Sequence, residues 1–411
     1  MKDNYNKGFL TGMLVTLGIV LGAVLVYFVF FHDVLKNYSG KNNETSVSKT
    51  GDEDYDTFIN KENAIIKIIN EKFYKDVDAE KMYRGAYDGI VASIGDPYAC
   101  YYSQEEYKSM TETTNGEYVG IGCYVAVPKD STDIQVLSVI KGGPAEKAGL
   151  LPDDILLKVD GTEISGSNLD YALSLIKGPV GSAVVVTIKR ENELIDLHMT
   201  REKIEQPLTH YELIDGKIGY IYVASFYKHV PEQFKAALKD MESQGMEKLI
   251  VDLRDDPGGL YDVAVDMVDI FLDRDLEVAY VEDNTGKKQW SYTNDLDTFD
   301  KPVVILINGN SASASELFTQ TLREYGKVTV MGTKSYGKGV YQNLYPLSVD
   351  GAVIKITGGR YFSPKGFCVD GVGIEPDITV EYVKIDPTIT DPELTDDNQI
   401  KAAVDFLNKT K

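Results

Sequence analysis

Residues 303–316 read VVILINGNSASASE. Val303, Val304, Ile305, Leu306 and Ile307 form an unbroken apolar run, the pattern of a strand covered on both faces. Small residues follow as a turn, and Ser313 opens a helical stretch reaching about Tyr325. A serine there sits beside unpaired backbone amides and the positive end of a helix dipole. That setting favours the negative charge of an acyl-transfer intermediate. A helix-capping turn uses the same residue types, so this segment alone supports both readings.

Working outward, strands and helices alternate. Residues 218–223 read as a strand, 231–244 as a helix and 249–253 as a second strand, which argues for an α/β core. The second strand runs into LIVDLRDDPGGL (residues 249–260), where a Pro257-Gly258-Gly259 turn could aim backbone amides into a cleft. Further on, GTKSYGKGVYQ (residues 332–342) flanks Lys338 with Gly337 and Gly339, so backbone can close around its ammonium. A lysine acts as a general base only when neutral, and burial away from carboxylates moves it toward that state. Each piece has a plain counterpart, a tight turn or a solvated lysine, and the argument rests on all three occurring in order.

The 411 residues suit two or three folded units, and the formal charge of −22 argues against nucleic acid and anionic lipid as main partners. Cys100, Cys123 and Cys368 form neither a zinc spacing nor a disulfide framework, and His32, His198, His210 and His229 make no ligand cluster, so no metal or other cofactor is expected. Residues 9–31 carry no charge and as a helix would extend roughly 34 Å, enough to cross a bilayer. Lys2 and Lys7 before the span and Lys36 and Lys41 after it nearly balance; the very short N-terminal tail favours export of the C-terminal bulk. A polar stalk follows, and then two helical patterns, one through Ile65, Ile66, Ile68, Ile69 and Phe73 and one through Tyr83, Ala86, Tyr87, Ile90, Val91 and Ile94. Gly95-Asp96-Pro97 stops the second. Capping the core and forming a homodimer contact are both open uses for this region. Between 116 and 203, β-type runs at 120–127, 134–139, 155–159 and 183–188 surround one helix at 168–176.

From about residue 60 onward the chain resembles the carboxyl-terminal processing peptidases, or tail-specific proteases. DLRDDPGG, NGNSASASE, SYGKGVYQ, TGGRYFSPKG and GVGIEPD carry the resemblance in the family's order. The family's nucleophile is the middle serine of S-A-S-A-S, and its base is a lysine 25 residues later, which selects Ser313 over Ser311 and Ser315 and pairs it with Lys338. By the same resemblance Gln342 orients the lysine amine, and Gly259 or Gly258 with Ala314 supply the oxyanion amides. Asp256 stands where the family usually has Asn; a carboxylate there would oppose developing charge, so it is expected to point away. The middle region resembles a PDZ domain through GGPAEKAGL and DDILLKVDG. In YVGIG, residues Tyr118, Val119, Gly120, Ile121 and Gly122 match the loop that binds a peptide's terminal carboxylate. Asp153 replaces a usual Gly.

The resulting expectation is an α/β protease core, crotonase-like by resemblance, with an inserted PDZ domain, a small N-terminal helical region and one transmembrane helix. Its parts are a tail (1–8), an anchor (9–31), a flexible stalk (32–60), the helical region (61–103), the PDZ domain (104–203), the protease core (204–385) and a C-terminal segment (386–411). The implied function is a single-pass, extracytoplasmic serine endopeptidase that cuts polypeptides near their C-termini, with the PDZ domain gating the site. Two rivals are a tethered PDZ adaptor that binds tails without cutting, and a His-dependent serine protease using His210 or His229.

Overall fold

A computed structural model describes residues 52–410 except 129–130, 192, 295–297 and 386–392. The anchor expected at residues 9–31 lies outside them; among the described residues no helix is long and apolar enough to cross a membrane. Two units divide between Ala86 and Tyr87.

In the first unit, α1 (Asp52–Lys72) begins inside the stretch expected to be flexible stalk, and α2 (Ala79–Ala92) contains the division. The stalk expectation therefore fails from residue 52 onward. Acidic residues such as Asp54 and Asp56 suit the positive N-terminal end of a helix, so the helix extends upstream of its apolar stripe.

The second unit starts with the end of α2 from Tyr87, followed by residues 95–99, β1 (Cys100–Tyr102), α3 (Gln104–Thr114) and β2 (Glu117–Gly120). Ser103 and Glu106 cap α3 reciprocally, at 3.2 and 2.8 Å. A small antiparallel domain comes next. It contains β3 (Cys123–Ala126), β4 (Ile134–Val139), α4 (Pro144–Lys147), β5 (Ile155–Val159), β6 (Thr162–Glu163), α5 (Leu169–Ile176), β7 (Ala183–Arg190) and β8 (Glu193–Thr200). The sheet order β3-β4-β5-β7-β8 leaves β3 at an edge. Its inward residues, among them Ile134, Val136, Leu156, Val184, Val186 and Ile188, alternate along their strands and meet Ala172 and Ile176 of α5. Asp153 takes φ 70°, the left-handed geometry that favours the Gly usual there, and Asp154 is held by Arg190 at 2.7 Å.

The strand expected across 120–127 is broken. β2 pairs with β9 (Glu202–Glu205), Gly122 turns with φ 80°, and β3 begins at Cys123. Backbone bonds from Ala145 to Ile121 O (2.7 Å) and from Ile140 to Gly122 O (2.9 Å) fix the break. Tyr118, Val119 and Gly120, expected in a carboxylate-binding loop, thus lie in a strand ladder; only Ile121 and Gly122 lie in the loop. Tyr and Val are strong strand formers, and β9 supplies them a partner.

The larger domain has two sheets. The first is built from β10 (Thr209–Ile214), β11 (Ile218–Val223), β12 (Lys248–Asp252), β15 (Val303–Ile307), β16 (Val328–Gly332) and β19 (Ile378–Thr379), parallel from β11 to β19. Helices α6 (Val230–Ser243), α7 (Tyr261–Asp269) and α8 (Ala314–Glu324) bury their apolar faces in the core on one side. Alternation divides β15 between two cores: Val303, Ile305 and Ile307 join that side, and Val304 and Leu306 the other. The opposite face is covered by α9 (Asn398–Lys409) through Ile400, Ala403, Val404 and Leu407. Arg254 pins α9 by reaching Asp397 and Gln399, each at 2.8 Å. Residues 398–409, assigned from sequence to a separate C-terminal segment, therefore complete the core. Phe318 of α8 is fully buried against Phe226 and Phe271, and truncating it to Ala is expected to cost about 3–5 kcal/mol.

The second sheet joins β13 (Glu277–Asp283), β14 (Lys288–Tyr292), β17 (Val340–Pro346), β18 (Val353–Phe362) and the early β1. β18 is its hub, pairing with β1, β13 and β17.

Candidate active site

The parallel sheet sends two turns out of its C-terminal edge, after β12 and after β15. Asp255 (φ 62°) latches them together, accepting from Asn308 Nδ2 at 3.0 Å and Asn310 Nδ2 at 2.7 Å. Ala312 N adds a bond to Asp256 O at 3.0 Å. Gly258 has φ 90°, and a Cβ on it would lie 2.5 Å from Ala312 O and 2.8 Å from Ala314 N. Glycine is required because the two turns touch through backbone.

Three serines share the second turn, and the structure separates them. Ser311 and Ser315 are fully buried and donate to Leu253 O (2.7 Å) and Asp256 O (3.1 Å). Ser313, partly exposed, holds a strained φ of 59° at the N-terminus of α8 and lines a cavity of about 170 Å³. Lys338, Gln342, Ala314 and Gly259 line the same cavity, with Leu260, Tyr261, Leu317, Val340, Tyr341 and Tyr361 as further walls. Neither His210 nor His229 lines it.

The two candidate oxyanion glycines differ. Gly258 N is committed to Asp256 Oδ1 at 2.8 Å, whereas Gly259 lines the cavity beside Ala314. Asp256 does not line the cavity. It is fully buried, turns its Oδ1 onto the Gly258 amide and leaves Oδ2 without a hydrogen bond. Burial pushes this carboxyl up to about 8, so it is a neutral acid at neutral pH and sets no charge against the turn.

Glu316, at the third helical position, is a residue whose role sequence reasoning missed. Its buried carboxylate accepts four bonds: Ser313 N (2.9 Å) and Lys338 N (2.8 Å) on Oε2, and Ser335 Oγ (2.6 Å) and Gly337 N (2.7 Å) on Oε1. One side chain thereby ties the Ser313 turn to the Lys338 loop. The signal was present, since S-A-S-E is a capping-box spacing. Tyr361 adds a second tie, its hydroxyl sharing its proton between Ser313 O at 3.0 Å and Lys338 O.

Around the Lys338 amine, burial is the main influence and pulls its pKa down; Lys355 adds to this, and Asp96 and Glu316 oppose it. The Tyr98 ring lies beneath the amine, 4.6 Å from Nζ to centroid. Asp96 and Tyr98 come from the turn ending α2, which sequence reading treated only as a helix stop. Gln342 Nε2 bonds Thr357 Oγ1 at 3.3 Å, and Thr357 N donates to Asp96 Oδ2 at 3.0 Å, joining that turn to β17 and β18. Among the described residues no cluster could hold a metal ion.

Comparisons with known proteins fall on these same segments. Peptidase family S41 matches residues 217–380, a PDZ domain residues 135–190, and the N-terminal domain of the activating protease CtpB residues 19–106. A Staphylococcus aureus (strain COL) protein named "Probable CtpA-like serine protease" is 37% identical over 328 residues, covering 79% of this chain and 65% of its own length. A Staphylococcus saprophyticus protein of the same name is 35% identical over 319 residues, covering 77% and 64%. The chain thus spans a little under two thirds of the length of these relatives. Among solved structures, the photosystem II D1 C-terminal processing protease is 26% identical, with a TM-score of 0.45, covering 77% of this chain and 86% of that one. The S41 match encloses both turns of the cavity and the loop bearing Lys338, so residues 217–380 are a peptidase family S41 domain in a chain that also carries a PDZ domain.

Proposed function

We propose that the protein is a serine endopeptidase in which Ser313 attacks the scissile carbonyl and the neutral amine of Lys338 accepts the hydroxyl proton. Carbon–oxygen bond formation gives a tetrahedral oxyanion facing the amides of Gly259 and Ala314. Its collapse breaks the C–N bond as Lys338 returns the proton to the leaving amine. Water, deprotonated by the same lysine, then releases the acyl group and restores Ser313. Gln342 orients the lysine. The observation that carries this reading is the single cavity lined by both Ser313 and Lys338, in which burial favours a neutral amine. A volume of about 170 Å³ with Leu260, Leu317 and Val340 in its walls suits a small apolar side chain beside the cut bond.

Cleavage near C-termini follows from the PDZ domain. Edge strand β3 can add a substrate tail as a further strand, with the Ile121-Gly122 turn at its carboxylate end. The tail in turn gates the site. Residues 9–31 anchor the chain in the cell membrane with the protease outside the cytoplasm, and exposed Phe58, Ile65 and Ile68 on α1 suit a contact with a second copy.

Ser313→Ala and Lys338→Ala are each expected to abolish cleavage of a peptide substrate while circular dichroism and Tm stay native. Substantial residual cleavage in either folded variant would sink the assignment. Carboxylate-dependent peptide binding without any cleavage by the unmodified protein would favour the adaptor reading instead.

A further inference from the structure

Lys355 lies outside the cavity lining, yet the geometry ties it to the dyad. It stands two residues before Thr357 on β18, so their side chains share a face, and on that face Thr357 receives the Gln342 side chain that lines the cavity. β1 lies alongside, with Cys100 directly opposite Lys355. Tyr102, on the same strand, accepts from Lys355 Nζ at 3.1 Å, and its ring lies 5.4 Å from that atom.

The charges facing the Lys338 amine come from three elements: Lys355 on β18, Asp96 with Tyr98 on the turn after α2, and Glu316 on α8. Tyr98 in turn interacts with Tyr336 and feels the charge of Asp370. Both nearby carboxylates are engaged elsewhere. Glu316 accepts its four donors, and Asp96 accepts from the amides of Tyr98 (2.9 Å) and Thr357 (3.0 Å). Among the described residues Lys355 has no carboxylate within salt-bridge distance; its neighbours are a phenol and a thiol.

We propose that Lys355 is a positioning residue of the dyad, a permanently charged ammonium held by Tyr102 that disfavours a second positive charge on Lys338 and so keeps that amine ready to accept the Ser313 proton. The two lysines are pushed in opposite directions. Burial and Lys355 lower Lys338, whereas on Lys355 burial, the largest single influence, is outweighed by Tyr102 and Cys100 acting together, so Lys338 loses its proton first. The proposal rests on the Ser313/Lys338 reading.

The test is kcat/KM against pH for the unmodified protein, Lys355→Met and Lys355→Arg. Methionine keeps the apolar stem and removes the charge; its acidic limb is expected to move up by about one unit, a loss of about tenfold at neutral pH that is recovered on the alkaline side. Arginine is expected to retain the original profile. A methionine variant whose limb does not move, or that loses activity equally at every pH, overturns the proposal. Should that variant not fold, NMR titration of the unmodified chain after ¹³C reductive methylation reads the order directly: Lys338 before Lys355 supports the proposal, and the reverse overturns it. Ser313→Ala measured alongside separates the two claims. Cleavage by that variant defeats the dyad itself, whereas an inactive Ser313→Ala with an unmoved Lys355→Met limb defeats only the role of Lys355.

Discussion

Two buried carboxyl groups flank the Ser313 turn, and they are used in opposite ways. On the helix side, Glu316 meets four donors and leaves neither oxygen free. On the other side, Asp256 holds one amide and has an oxygen with no partner. A buried ionised carboxylate is tolerable when donors surround it, and the first group is a clamp between the Ser313 and Lys338 segments. The second lacks those donors and takes up a proton instead. The same residue class therefore gives a rigid, fully hydrogen-bonded tie on one side of the nucleophile and a neutral, pH-sensitive one on the other.

The largest effect on cleavage is expected from Glu316→Gln. The amides of Ser313, Gly337 and Lys338 can only donate, so whichever way the new amide turns, its NH2 faces at least one of them. Leaving at least one buried donor unpaired costs about 1–3 kcal/mol and loosens the tie between the Ser313 turn and the Lys338 loop. Denaturant unfolding should show the loss, and kcat should fall at least about tenfold. Native stability in this variant would break the contrast, since it would mean that the clamp carries no load.

Asp256→Asn should act with the opposite sign, with no effect near pH 4 and a growing one toward pH 8. The native carboxyl binds its proton more tightly than the unfolded one, so its contribution is full at acid pH and is lost as pH rises through about 8. The loss is about 1.4 kcal/mol per pH unit in that window. The asparagine variant has no such group. Its Tm should match the unmodified protein near pH 4, exceed it increasingly toward pH 8 and keep a constant gap above that. Parallel Tm curves would show Asp256 to be ionised throughout. Smallest of all should be Ser315→Ala, which removes the 3.1 Å bond to the Asp256 carbonyl and should cost about 1 kcal/mol with cleavage retained.

Much of this arrangement was legible from the sequence. The strand-turn-helix around Ser313 follows from a β15 that is apolar throughout and a turn of small residues, and the observed β15 and α8 start where the pattern places them. The three serines looked alike until the fold buried two of them. What escaped was long-range. Asp96, Tyr98 and Lys355 have no local signature, because they reach Lys338 only when β1 and β17 both pair with β18. α9 also escaped, although Ile400, Ala403, Val404 and Leu407 stand at helical spacing behind an Asp397 cap. The charge of Asp256 was taken as fixed, whereas burial removes it.

The dyad is tested most directly by covalent labelling with diisopropyl fluorophosphate and peptide mapping. The label should fall on Ser313, form faster as pH rises and be lost in folded Lys338→Ala. Labelling of Ser311 or Ser315 instead, or of Ser313 equally with and without Lys338, would contradict the assignment.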